Sequence, residues 1–151
     1  MNWPFINLKK ALLSCVMMFS VLYCAAQKPL LIYQDLQFLI QSNSTAVTTF
    51  LQQKDYHLQS SSNGEIRFFG LFADELYNDI FIGTQGRKTT VILTTTNLSQ
   101  IETIQKELQS YSSRNSKNGK LYRIKDLGIS TLSIKEPNSS TDKTYTIQFE
   151  N

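Results

Sequence analysis

Both cysteines of this 151-residue chain, Cys15 and Cys24, stand in an N-terminal segment built like an export signal, so the domain beyond it must fold without a disulfide. The chain opens MNWPFINLKK and continues ALLSCVMMFSVLYCAA over residues 11–26. A Lys9-Lys10 pair, an apolar stretch of 16 residues and a closing set of small residues give the three-part order of a secretory signal. The stretch is short for a membrane helix, which needs about 20 apolar residues. The remaining sequence offers no second apolar run of that kind, so a multi-pass membrane protein is not expected.

Signal peptidase accepts small side chains at the −3 and −1 positions. Cleavage after Ala26 places Cys24 and Ala26 there and leaves Gln27 as the new N-terminus. Two other readings of the same residues stay open: lipid attachment at Cys24, with VLYC as its recognition box, and an anchor that is not removed. Tyr23 is large where a lipid box has a small residue, which favours simple cleavage. The ending AAQ, followed directly by the domain, resembles exported proteins of Bacteroidetes-type bacteria, on these few residues alone.

The expected organisation is therefore a signal peptide, 1–26, and one domain, 27–151, bound for the periplasm or the medium. About 125 residues can bury a sufficient core without staples. Removing Lys9 and Lys10 takes basic residues from 15 to 13 against 12 acidic ones, so the net charge falls from +3 to about +1. Such balance gives no general electrostatic case for nucleic acid or for an anionic membrane.

Apolar spacing organises the domain. Leu36, Leu39 and Ile40 predict one helical stretch and Val47, Phe50 and Leu51 another, capped by Ser44, as a bent helix or two helices in tandem ending near Lys54. SSSNG reads as a turn, EIRFFGLF as a strand, and DIFIGTQGRKTTVILTT as a hairpin with Gln85-Gly86 at its tip. Ile80 and Ile82 share one face, as do Val91 and Leu93, though which face is buried cannot be read from the sequence. A third helix starts with Asn97 and Gln100 in a capping-box pattern and carries Leu98, Ile101, Ile104, Leu108 and Tyr111 as one stripe. SSRNSKNG then reads as a polar turn, followed by the strands KLYRIKDL, STLSIKE and KTYTIQFE.

NGEIRFF at Asn63 and NGKLYRI at Asn118 each follow a helix and a Ser-rich turn. The expected fold class is α+β: an antiparallel sheet with helices packed on one face, made of two αβββ halves, 34–96 and 97–151. That layout is similar to small secreted binding modules such as the tandem-repeat β-lactamase inhibitors, in architecture and not in any motif residue.

Residues suited to chemistry are few. His57 is the one histidine; on an extended segment it would share a face with Asp55, but no cysteine and no serine in a nucleophile-elbow pattern accompanies them. ADELYND holds Asp74, Glu75 and Asp79 without the alternation and glycine of a calcium loop, and reads as a solvated connection. No catalytic, metal or cofactor residue can be nominated, and no pair among Asp35, Asp55, Glu65, Asp74, Glu75, Asp79 and Asp126 stands out for glycan hydrolysis. RNSKNGKLYRIK supplies Arg114, Lys117, Lys120, Arg123 and Lys125 near Tyr111 and Tyr122, a candidate contact for an acidic partner or an anionic glycan. The sequons Asn43, Asn97 and Asn138 matter only in a eukaryotic host.

The expectation is an exported, non-enzymatic domain that binds another protein or a cell-envelope component through its sheet face or hairpin loops. A carboxylate-dependent hydrolase and a small-ligand carrier with an apolar pocket between helices and sheet are the alternatives.

Overall fold

The computed structural model describes residues 28–117, 119–124, 128–139 and 141–151. Residues 1–27, expected to carry the signal and including Cys24, Ala26 and Gln27, lie outside the described residues, as do Asn118, Lys125 and Asp126. Among the described residues no helix is long and apolar enough to cross a membrane.

Helices α1 (Tyr33–Gln41) and α2 (Ser44–Gln53) run in tandem, and α3 (Leu98–Glu107) comes later in the chain. Asp35 starts α1 by accepting the Ile32 N–H at 2.9 Å, and Lys54 neutralises it at 3.0 Å. The cap of α2 is Asn43, one residue before the expected Ser44: its side chain accepts the Ala46 N–H at 3.0 Å. Beyond α2, Asp55 takes a positive φ of 63°. The N–H groups of Asp55 and Tyr56 then turn back to the Gln52 and Leu51 carbonyls, a helix-ending turn in which glycine is the usual residue.

The sheet has eight strands: β1 (His57–Ser62), β2 (Glu65–Leu71), β3 (Tyr77–Gln85), β4 (Lys88–Thr95), β5 (Ser113–Ser116), β6 (Gly119–Arg123), β7 (Thr131–Lys135) and β8 (Tyr145–Glu150). They are antiparallel throughout, in the order β1-β2-β3-β4-β8-β7-β6-β5. Each helical stretch is thus followed by four strands rather than the expected three. The extra members, β1 and β5, are the two edge strands; β5 falls in a segment expected to be a polar turn, and so do Ser60, Ser61 and Ser62 of β1.

Register fixes which residues meet. Ile66, Ile82 and Val91 align across β2, β3 and β4, and Phe149 and Leu132 continue the row through β8 and β7. Phe68, Ile80, Leu93, Ile147 and Ile134 make the adjacent row. These side chains are buried, and they join Leu36, Leu39, Leu51, Ile101, Ile104 and Leu108 of the helical stretches in one core cluster. Residues between them along each strand point the other way. The stripe expected on α3 holds except for Leu98, which is 51% exposed.

Two hairpins differ from expectation by one residue. The β3–β4 tip is Gly86-Arg87, because Gln85 still pairs with Lys88. Asn63-Gly64 closes β1–β2 with both residues at positive φ, the geometry for which Asn-Gly is favoured. In β5–β6 the second Asn-Gly shifts register: Gly119 already belongs to the strand, paired with Ser116.

Candidate functional site

The face of the sheet opposite the core carries three cross-strand rows. One runs Ser60, Arg67, Phe81, Ile92, Gln148, Ser133, Leu121, Arg114 from edge to edge. A second runs Glu65, Gly83, Thr90, Glu150, Thr131, Arg123; a third runs His57, Phe69, Asp79, Thr94, Thr146, Lys135. On β2 to β4 this face is aromatic and aliphatic, with the Phe69 and Tyr77 rings stacked at 5.7 Å. At the centre it is mostly hydroxyl and amide, with Ile92 among them and Lys88 and Glu150 at one end. On β6, β7 and the edge strand β5 it turns basic through Arg114, Arg123 and Lys135, all exposed.

Two ion pairs lie on this face. Arg67 donates from Nε to Asp79 at 2.9 Å, and that contact raises the guanidinium pKa above its usual value. Lys88 meets Glu150 at 2.7 Å, holding that carboxyl below the usual range. Both pairs are largely solvated, so they set register and surface charge more than stability.

The basic run is divided by strand parity. Arg114 and Arg123 stand on the bare face, Lys120 pairs with Ile134 and points the other way, and Lys117 sits in the β5–β6 turn. Tyr122, a candidate stacking partner by sequence, is buried, and burial raises its pKa. Lys135 joins the two arginines from β7, although 12 residues separate it from Arg123 in the chain.

The acidic candidates are scattered. Asp35 belongs to the α1 start, Asp79 to Arg67, and Asp55 to Lys28 at 3.3 Å. Asp74 and Glu75 lie exposed in the 3-10 turn between β2 and β3, both at positive φ. Asp55 and His57 do not share an extended face, because residue 55 is left-handed. His57 is exposed at the start of edge strand β1. Among the described residues no three of His, Cys, Asp or Glu are grouped to hold a metal ion.

A buried polar network has no counterpart in the sequence pattern. Gln100 stands in a capping-box position but is buried, accepting the Leu31 N–H at 2.9 Å and donating to the Leu31 carbonyl at 2.6 Å. Asn78 donates to Gln100 at 3.1 Å and to the Tyr56 hydroxyl at 2.8 Å. Burial pushes the Tyr56 phenol up to about 12, opposed by the Asn78 hydrogen bond and helped by the charge of Asp35. The network pins Leu31 to α3 and sits within the core, where it serves the fold.

Concavities open at both ends of the sheet. One of about 540 Å³ lies around Lys28, Asp55, Leu71 and Phe72. At the opposite end, the β1–β2 hairpin faces the α1–α2 junction across a space of about 390 Å³. A more open one of about 560 Å³ adjoins it on the bare face beside Phe81. Comparison with protein-family models, curated proteins and solved structures finds no match to this chain.

Proposed function

We propose that the chain is an exported, non-enzymatic interaction domain that binds an acidic protein surface through the bare face of its sheet. In this reading the signal is cut between Ala26 and Gln27, and the domain works in the periplasm or the medium. Its architecture is two αββββ units joined through β4 and β8, with the helices covering one side and leaving the other for a partner.

The observation that carries the reading is the gradient across that face. Arg114, Arg123 and Lys135 form a cationic margin beside Ser133, Thr146 and Gln148, with Ile92 and Phe81 beyond. A cationic margin steers an acidic partner into encounter, and a neutral centre docks it without stripping water from ions. Of the carboxylates weighed for hydrolysis, Asp35, Asp55 and Asp79 are engaged one by one with Lys54, Lys28 and Arg67.

The experiment is capture from an envelope fraction with the wild-type protein and with Arg123→Glu/Lys135→Glu. A stoichiometric acidic protein should be retained by the first and lost with the second, both having the same Tm. Equal retention by the charge-reversed protein, or no stoichiometric partner with either, would count against the proposal.

A further inference from the structure

We propose that the end of the sheet built by the β1–β2 and β3–β4 hairpins binds a neutral glycan. This goes beyond the protein-binding reading and uses the opposite margin of the molecule. The two concavities there meet at Asn63, Glu65 and Thr84, which line both. We take the two, which share these residues, as one groove from the α1–α2 junction around the hairpin to the bare face.

The chemistry of the lining selects the ligand. On the inner side the floor is aliphatic, from Leu39, Val47, Ile66 and Ile82, and the walls are neutral hydroxyls and amides such as Ser42, Ser62, Asn63 and Thr89. On the outer side Phe81 supplies a ring, with Gln85 and Thr90 beside it. A sugar ring has a C–H face that the negative face of an aromatic ring attracts, and a rim of hydroxyls that need amide, hydroxyl or carboxylate partners. Glu65 makes no ion pair among the described residues, and the cation in the lining, Lys88, is engaged with Glu150. A phosphate or other anion would therefore meet a free carboxylate and no free cation. A flat apolar ligand would strip water from polar walls without replacing their hydrogen bonds.

The groove is also set in place before any ligand arrives. The Thr84 N–H donates to the Gly64 carbonyl at 2.9 Å, tying the β1–β2 turn to β3. A Cβ at Gly83 would stand 3.0 Å from the Phe81 ring edge, so glycine at 83 leaves the ring room to lie along the groove. Held walls cost less ordering on binding.

The test is an amide chemical-shift titration of the exported protein with N,N′-diacetylchitobiose, cellobiose and maltose, each to a concentration on the order of 10 mM. At least one sugar should shift Asn63, Glu65, Phe81, Gly83 and Gln85 with a Kd of about 1 mM or tighter. Response to the amino sugar alone would identify a cell-wall type of chain, and response to the glucosides alone a glucan; either supports the site. Phe81→Leu, which keeps apolar bulk and loses the aromatic face, should weaken binding roughly tenfold. Arg123→Glu/Lys135→Glu, at the far margin, should leave the titration unchanged. The proposal is overturned if none of the three sugars shifts these residues, if the shifts map elsewhere, or if Phe81→Leu binds as the wild type does.

Discussion

Tyr56→Phe should lower stability at neutral pH and raise it in strong alkali. The phenol is buried, belongs to a core network, and titrates near 12 rather than 10. Removing the hydroxyl deletes its 2.8 Å contact with Asn78, which still reaches Gln100 at 3.1 Å, so the cost at pH 8 is about 1 kcal/mol. The folded pKa lies above the unfolded one. Stability from the neutral phenol is therefore complete below pH 10 and is lost as pH rises from 10 through 12, because the unfolded chain gives up the proton first. The slope in that window is about 1.4 kcal/mol per pH unit, so the wild type forfeits about 2 kcal/mol by about pH 11.5. The two proteins differ in this hydroxyl alone, so the difference between them isolates Tyr56. Urea unfolding at pH 8 and at about pH 11.5 should show the order of stability inverting. Parallel loss in the two proteins would refute the buried, neutral phenol.

Gly119→Ala should unfold the β6–β7 region: φ there is +140°, and a Cβ would collide with the Ile134 carbonyl, so strain and clash together cost at least about 3 kcal/mol in a thermal melt. Asn43→Ala should cost about 1 kcal/mol while Ser44→Ala changes stability by less than about 0.5 kcal/mol, since Asn43 holds the α2 N–H group. Gln100→Ala removes three buried hydrogen bonds and should cost about 3 kcal/mol, with the Leu31 amide becoming the first core position to exchange with solvent.

Much of this fold can be read from the sequence because burial imposes periodicity. Ile80 with Ile82 and Val91 with Leu93 do share buried faces, and the three helices stand where their apolar spacing puts them. Strands β1 and β5 escape the pattern for the same reason. HLQSSS and SRNS are exposed along their whole length, so neither strand buries a side chain that would leave an apolar mark on the sequence. Polar edge strands of this kind blunt the sheet margin against unwanted pairing.

The candidate site is legible only in fragments. Arg114 and Arg123 stand out in the sequence, but strand parity, invisible until register is known, takes Lys120 away and brings Lys135 in from β7. Gln100 carries the pattern of a capping box, yet the Leu31 backbone lies close enough to draw its amide inward. Phe81 and Gly83 read as ordinary strand residues, and the groove exists only where the β1–β2 turn reaches β3.

Hydroxyl-radical footprinting of the protein, purified and in an envelope fraction, tests the central claim most directly. With the bare sheet face docked on a partner, Ile92 and Leu121 should be labelled in the purified protein and protected in the envelope fraction. Equal labelling of these residues in both preparations would contradict the assignment of that face to binding.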